Sequence, residues 1–121
     1  MGESMNDYVS LDMAKRIKEA GYPQDSEKYW VDGCLIGADD FSFKVQYESI
    51  FELYAAPSSG ELLQQLPYKI PGSISSYLRV HKCRDMWIVT YDDIPIYDAQ
   101  YNSLTNACGE MLLWLKKEGY I

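Results

Sequence analysis

The C-terminal stretch 103–121 limits the fold of this chain more than any other part of the sequence, because it has the pattern of an amphipathic helix. Ser103 is a good N-cap, and Gly119 is the type of residue that ends a helix in a left-handed conformation. Between them, apolar side chains recur at three- and four-residue spacing: Leu104, Ala107, Cys108, Met111, Leu112 and Leu115. An apolar helix face needs another layer to cover it, so the stretch predicts a helix docked on a sheet.

A glycine inside this helix needs an explanation, since Gly costs about 1 kcal/mol relative to Ala at such a position. The residue is Gly109. We attribute it to close approach of the helix to the sheet, or to a bulky neighbour such as Trp87.

Two shorter helices are predicted upstream. The first covers Ser10–Ala20, with Ser10 as its N-cap and a glycine just after its end. The second begins at Ser58, which forms the S-x-x-E spacing of a capping box with Glu61. Pro67 stops it, because proline has no backbone N–H to donate.

The C-terminal half also carries three runs that are typical of strands. We expect them to form an antiparallel meander with strands near Tyr77–Lys82, Met86–Tyr91 and Ile94–Asp98. The stretch 86–89 is apolar on both faces, which favours a central position. Pro95 cannot donate to a ladder, so the third run is predicted to be an edge strand.

Strand signals in the N-terminal half leave alternatives open. Tyr29–Val31 and Cys34–Ile36 flank the pair Asp32-Gly33, which is typical of a hairpin turn. Phe41–Tyr47 alternates apolar and polar residues, and a further apolar run, Ile50–Ala55, follows it. These last two runs form either two strands or one long strand with a bulge.

The predicted fold class is therefore α+β with a mostly antiparallel sheet. That sheet contains the three-stranded C-terminal meander and one or two N-terminal strands, with the C-terminal helix packed on one face and two shorter helices. A chain of 121 residues is one domain of ordinary size, able to bury roughly two thirds of its unfolded surface. We expect residues 1–121 to form a single domain, with 1–7 as a loose N-terminal segment.

The charge distribution argues against direct nucleic-acid binding. The formal net charge is −7, and residues 1–61 carry 12 acidic and 5 basic side chains, whereas residues 62–121 carry 6 of each. Such a surface repels phosphate backbones. No apolar run is long enough to span a membrane, and the first residues do not form a secretory signal, so the sequence predicts a cytoplasmic protein that does not bind membranes.

Catalytic motifs are weak in this sequence. The single histidine, His81, leaves a Cys–His pairing open, but Cys108 lies on the apolar helix stripe and Cys34 lies in an apolar run, so burial as small hydrophobic residues is expected. Asp39-Asp40 and Asp92-Asp93 fall at predicted turns, so no metal site is expected. No Gly-rich phosphate motif is present in the sequence, and no cofactor is predicted.

The aromatic content favours a contact surface. Tyr77, Arg79 and His81 would share one face of a strand whose other face carries Leu78 and Val80. Tyrosine and arginine are enriched at protein interfaces. We therefore name Tyr77, Arg79 and His81 as the candidate partner surface.

Several motifs in the chain carry a family resemblance. They are Tyr8-Val9-Ser10-Leu11 before the first helix, Glu19-Ala20-Gly21-Tyr22 at its end, Tyr54-Ala55-Ala56-Pro57-Ser58 before the Leu-rich helix, and the run Ala107 to Leu115 with its ending Lys116 to Ile121. Together they resemble small α+β proteins of bacterial prophages and conjugative elements, a family of unknown function. Many of those proteins have Ala where Gly109 stands. The resemblance implies no functional residues.

The leading hypothesis is a non-catalytic accessory or interaction protein of a mobile element, with an unknown protein partner and with a homodimer as one form of association. A first alternative is a small enzyme with a Cys–His or carboxylate site. A second alternative is an acidic mimic of nucleic acid that binds a basic partner, as the acidic first half suggests.

Overall fold

The computed structural model of the chain describes residues 8–24, 26–37, 52–92, 99–101 and 103–121. These residues form three helices and two small antiparallel sheets, so the predicted α+β class is confirmed. In chain order the elements are α1 (Leu11–Glu19), β1 (Lys28–Val31), β2 (Cys34–Gly37), β3 (Leu53–Ala55), α2 (Ser59–Gln65), β4 (Leu78–Cys83), β5 (Met86–Tyr91), β6 (Ala99–Tyr101) and α3 (Leu104–Lys117). None of the described helices is long and apolar enough to cross a bilayer. Segment 1–7 lies outside the described residues.

Each of the three helices begins at its predicted cap. The hydroxyl oxygens of Ser10, Ser58 and Ser103 accept hydrogen bonds from backbone N–H groups three residues later, at 3.3, 3.2 and 3.2 Å. The Glu61 carboxylate accepts from the Ser58 N–H at 3.3 Å, which completes the capping box. These bonds satisfy N–H groups that have no partner inside the helix.

The helices α1 and α3 end in the same way. The closing bonds run from the Tyr22 N–H to the Ile17 carbonyl (3.1 Å) and from the Tyr120 N–H to the Leu115 carbonyl (2.9 Å). Each tyrosine follows a glycine with positive φ, +91° in one case and +83° in the other. This is the six-to-one bond of a Schellman motif, which places an apolar residue after the glycine against the last turn of the helix.

The first sheet has the strand order β2-β1-β3. Asp32 (φ +50°) and Gly33 (φ +81°) join β1 to β2, and two successive positive φ values are the geometry that favours a tight hairpin. The hairpin predicted around this pair is confirmed. The predicted strand Phe41–Tyr47 and residues 50 and 51 lie outside the described residues.

The second sheet has the strand order β4-β5-β6, with β5 in the predicted central position. Its third described strand is Ala99–Tyr101, and the predicted strand Ile94–Asp98 lies outside the described residues. The described strands thus belong to two sheets, whereas the sequence predicted one. Trp30 of β1 and Val89 of β5 belong to one buried cluster, so the two sheets are joined by side-chain packing and not by a shared ladder.

The helix α3 packs across β5 and β6 and also lies beside α1. The Ser10 N–H donates to Asn106 Oδ1 (3.0 Å), and Arg16 Nη1 donates to Glu110 Oε1 (2.8 Å), so the two helices run in the same direction. A Cβ atom at Gly109 would lie 3.0 Å from the Met13 Cγ atom. The neighbour that requires a glycine here is therefore α1, and the explanation by the sheet or by Trp87 was wrong.

One buried cluster joins the two sheets. It takes side chains from α1, β1, α2, β5 and α3, and its fully buried members include Ile17, Leu62, Val89, Met111 and Leu115. A smaller cluster covers the other face of the first sheet. The predicted apolar stripe of α3 is therefore the place where the largest number of described elements meet.

Candidate functional site

The predicted partner residues lie on one exposed face next to and within β4. Tyr77 precedes the strand, and Arg79 and His81 belong to it, so strand alternation places their side chains on the same side. All three residues are exposed. On the opposite side of the sheet, Val80 pairs with Val89, which is fully buried in the cluster beneath α3. The face that carries Tyr77, Arg79 and His81 is thus the one that α3 does not cover.

Arg79 is already engaged in an ion pair. Its Nε atom donates to both carboxylate oxygens of Asp92, at 3.0 and 2.9 Å. Asp92 is held directly opposite Tyr77, because its own N–H donates to the Tyr77 carbonyl at 3.0 Å. An exposed ion pair of this kind contributes about 1 kcal/mol or less. It fixes the direction of the Arg79 side chain and neutralises its charge.

The strand β4 extends beyond the cover of α3. That helix contacts β5 and β6. Along most of its length, β4 has β5 on one edge and no described strand on the other. Five of its six residues are exposed, and they include Val80, whose exposed fraction is 39%. Both faces of β4 are therefore open to solvent near the hairpin tip.

The outer edge of β4 presents backbone groups that no described residue pairs with. The Leu78 N–H points away from β5 and donates to the Tyr68 carbonyl at 2.9 Å. Because alternate residues of an antiparallel strand face the same edge, Val80 and Lys82 also direct their N–H and C=O groups outward. In the part of the chain that the structure describes, no residue bonds to these four groups.

Exposed apolar side chains concentrate around the same strand. Six large apolar or aromatic residues among those described are well exposed, and all but Ile121 lie between positions 68 and 86: Tyr68, Ile74, Tyr77, Val80 and Met86. The rings of Tyr68 and Tyr77 lie 6.3 Å apart between centroids, with 75% of Tyr68 exposed. We call the group Tyr68, Tyr77, Arg79, Val80, His81 and Lys82 the β4 surface. Aromatic residues exposed together in this way are typical of protein contact sites.

The β4 surface is basic in an otherwise acidic protein. Residues 62–84 contain four basic side chains and no acidic one, although the whole chain has a net charge of −7. No carboxylate among the described residues pairs with Lys69, Lys82 or Arg84. The Lys82 Nζ atom lies 5.4 Å from the centre of the Trp87 ring, which holds it near the strand.

The thiols do not form a recognisable catalytic pair. Cys83 follows His81 on the same face of β4, but no hydrogen bond joins the two among the described residues. Cys34 is exposed, so its predicted burial was wrong: it is the first residue of β2, directly after the hairpin turn at the end of the sheet. Cys108 is buried as predicted, and burial raises its pKa to about 12, which keeps the thiol protonated and unreactive.

Acidic residues form no metal site within the described ranges. No group of three or more His, Cys, Asp or Glu side chains is close enough there to hold an ion. Asp92 is engaged by Arg79, while Asp39, Asp40 and Asp93 lie outside the described residues. The carboxylates of the described residues are therefore spread over the surface or used in ion pairs.

Two cavities lie away from the β4 surface. One of about 250 Å³ is lined by Lys15, Glu52 and Tyr54 among others, but Lys18 already contacts the Glu52 carboxylate beside it. The other, of about 210 Å³, lies between the ends of α1 and α3 near Tyr22, whose pKa is raised by burial and then by the nearby Glu61. Neither cavity brings together an acid, a base and a nucleophile among the residues that line it.

Sequence reasoning found part of this surface and missed part. The sequence indicated Tyr77, Arg79 and His81, but it placed Val80 on the opposite face of the strand and gave no indication of Tyr68 or Lys82. The long interval without acidic residues, 62–84, was a usable signal for the basic character. No pattern in the sequence indicates that Val80 is exposed, because its exposure depends on how far α3 extends across the sheet.

Comparison of the chain with protein-family models, with curated proteins and with solved structures returns no match. The resemblance to proteins of mobile elements therefore stays a prediction.

Proposed function

We propose that this chain is a non-catalytic protein-interaction domain that contacts a partner protein through the β4 surface. The observation that carries the proposal is the concentration of exposed apolar residues around one basic strand that α3 leaves uncovered. Such groups of apolar and aromatic side chains mark interaction sites in proteins whose remaining surface is polar.

The rival functions have less support from the described residues. An enzyme would need a nucleophile, a base and an orienting group in contact, and the only histidine, His81, makes no such contact with Cys83 there. An acidic mimic of nucleic acid would need an ordered row of carboxylates. Asp12, Glu19 and Glu27 are exposed but alternate with Lys15 and other basic residues.

The proposal places the protein in the cytoplasm. Its three cysteines are free, and reduced thiols are the usual state in a reducing compartment. A setting in a mobile element is part of the same proposal and has the resemblance of the sequence as its support.

Site-specific photo-crosslinking tests this function. A photoreactive amino acid is placed at Tyr68 in the β4 surface or at Gln64, which is exposed on α2, and each protein is irradiated in lysate of the source cells. We expect a discrete adduct from position 68 and none from position 64. Adducts of equal yield from both positions, or from neither, would contradict the proposal.

A second substitution decides whether the adduct depends on the surface. Lys82→Glu reverses one charge within the β4 surface, and Lys117→Glu makes the same change at the exposed end of α3. We expect Lys82→Glu to reduce the adduct at position 68 and Lys117→Glu to leave it unchanged. An adduct that is insensitive to Lys82→Glu would mean that contact at Tyr68 does not involve β4.

A further inference from the structure

Resting on the proposed function, we infer that the partner supplies an extended acidic segment that adds to the outer edge of β4 as a further strand. Protein domains commonly recognise peptides by such strand addition, in which backbone bonds supply affinity and side chains supply specificity. Three properties of this edge favour such a segment: its backbone groups, its side chains and its charge.

The backbone of β4 is ready to pair. Val80 and Lys82 direct two N–H and two C=O groups away from β5, and no described residue uses them. At the other end of the same edge, the bond from the Leu78 N–H to the Tyr68 carbonyl at 2.9 Å shows that this edge can accept a neighbouring segment. An added segment would continue that pairing along the strand.

The side chains leave space for a strand beside the edge. Val80 is exposed although its cross-strand partner Val89 is fully buried, so an apolar side chain of the added strand would find an apolar neighbour here. Tyr77, 43% exposed, offers a second apolar contact on the other face. An incoming segment whose every second residue faces Val80 and Lys82, with apolar and acidic side chains in turn, fits this arrangement.

The charge of the edge selects an acidic segment and disfavours a second copy of β4. Lys82, Arg84 and Lys69 have no acidic partner among the described residues, and they flank the unpaired backbone groups. Two copies of β4 would bring these positive charges together, which is how basic residues protect edge strands from self-pairing. Carboxylates on a partner strand would instead pair with Lys82 and its neighbours.

Nucleic acid would also be attracted to positive charge and exposed tyrosine rings, but the backbone edge favours a peptide. A nucleic acid has no N–H and C=O ladder to match Val80 and Lys82. The chain as a whole is also strongly acidic, which opposes a phosphate backbone. A peptide would therefore protect the outward backbone amides of Val80 and Lys82 from hydrogen exchange, whereas a nucleic acid would not.

Amide hydrogen exchange measured by NMR on the full chain tests the inference. The probe is a blocked peptide in which Val and Glu take turns at every second position, with Thr between them, so that Val and Glu both lie on the side of Val80 and Lys82. The controls are the corresponding Lys-Val peptide and oligo-dT. With the Glu-Val peptide we expect slower exchange at the Val80 and Lys82 amides. The Arg79 and His81 amides, which already face β5, should change little.

Two variants separate strand addition from simple charge attraction. Val80→Pro removes an outward N–H, which an edge strand tolerates, and it should abolish the protection at Lys82. Lys82→Glu should weaken binding of the Glu-Val peptide about three- to tenfold, whereas Lys117→Glu should leave it unchanged. Circular dichroism of each variant checks that the fold is intact.

Several outcomes would overturn the inference. They are equal binding of the Lys-Val peptide, protection by oligo-dT, a dimer that Val80→Pro dissociates, or peptide binding without protection of Val80 and Lys82. If the adduct at Tyr68 persists in the crosslinking experiment while these amides stay unprotected, the interaction function stands and strand addition is wrong. If both experiments fail, the β4 surface has no partner role.

Discussion

Gly109 lies where α1 and α3 approach each other closely. A Cβ atom there would lie 3.0 Å from the Met13 Cγ atom and 3.1 Å from its sulfur, both closer than ordinary van der Waals contact. The cost of a glycine within a helix is thus offset by dense packing between two helices. The same closeness allows the Arg16–Glu110 ion pair at 2.8 Å beside it.

A larger residue at this position should separate the helices. We expect Gly109→Leu to lower the free energy of unfolding by about 1–3 kcal/mol, because overpacking forces Met13 and its neighbours to move. The same change at the exposed helical position Gly60, where a Cβ atom meets only the Ser58 hydroxyl at 3.9 Å, should be neutral or stabilising. Chemical denaturation measures both variants.

A double-mutant cycle identifies the neighbour. If Met13 is the group that is displaced, Met13→Ala and Gly109→Leu should be clearly non-additive, since the leucine can occupy the space left by the methionine. Additive losses would mean that α1 does not determine the requirement for glycine.

At the scale of elements, α3 and β4 differ in how completely they are covered. The apolar stripe of α3 is buried against β5, β6, α1 and α2, so changes on that stripe act on stability. The strand β4 is exposed over five of its six residues and contributes little to the core beyond Leu78. Substitutions on β4 are therefore suited to test function without unfolding the protein.

A charge on the buried stripe of α3 should prevent folding. Leu115 is fully buried, and Leu115→Asp would place a carboxylate without a partner in the core, at a cost of several kcal/mol that is comparable to the whole stability of a domain. Lys117→Asp, two residues later and exposed, is the matched control. We expect thermal unfolding by circular dichroism to lose its cooperative transition in the first variant only. A cooperative transition near the original midpoint in Leu115→Asp would contradict the burial of the stripe.

At the scale of the whole molecule, charge is unevenly divided. The chain carries a net charge of −7, yet most of the exposed large apolar residues among those described lie on the basic segment 62–84. Acidic surroundings keep the protein apart from phosphate backbones, while the basic edge remains available to an acidic partner. Added salt should therefore weaken binding at β4, because these charges are exposed.

Stability of the whole fold should decline at alkaline pH. Burial raises the pKa of Cys108 to about 12, whereas an unfolded cysteine titrates near 8.5, so the unfolded chain binds fewer protons above that value. The contribution of this thiol to stability is complete below about pH 8.5 and is lost as the pH rises toward 12. Burial, followed by the nearby Cys108, raises the pKa of Tyr91 as well, which acts in the same direction.

The variant Cys108→Ala isolates this effect. As the pH rises from 8.5 to 10, the free energy of unfolding of the original chain should fall by up to about 2 kcal/mol more than that of Cys108→Ala. This difference is the contribution of one thiol over that pH interval. Cys34→Ala, at an exposed thiol, is the control and should follow the original chain. Equal pH dependence in all three proteins would show that Cys108 is not buried in the folded state.

The elements that the sequence predicted correctly depend on contacts between near neighbours. A serine cap uses an N–H three residues away, the Asp32-Gly33 turn uses its own backbone angles, and the stripe of α3 repeats with the period of the helix. The candidate site was predicted in part for the same reason, since alternation within one strand places Tyr77, Arg79 and His81 together.

Local sequence patterns were enough to place the helix ends, the apolar face of α3 and the basic interval 62–84 in an acidic chain. Three features became visible only in the folded molecule: α1 is the neighbour of Gly109, the described strands divide between two sheets, and β4 extends beyond the cover of α3. The two groups of features differ in the distance along the chain between the residues that produce them. Caps, turns and periodic faces are set by residues a few positions apart, whereas burial and exposure depend on elements that meet across many tens of residues.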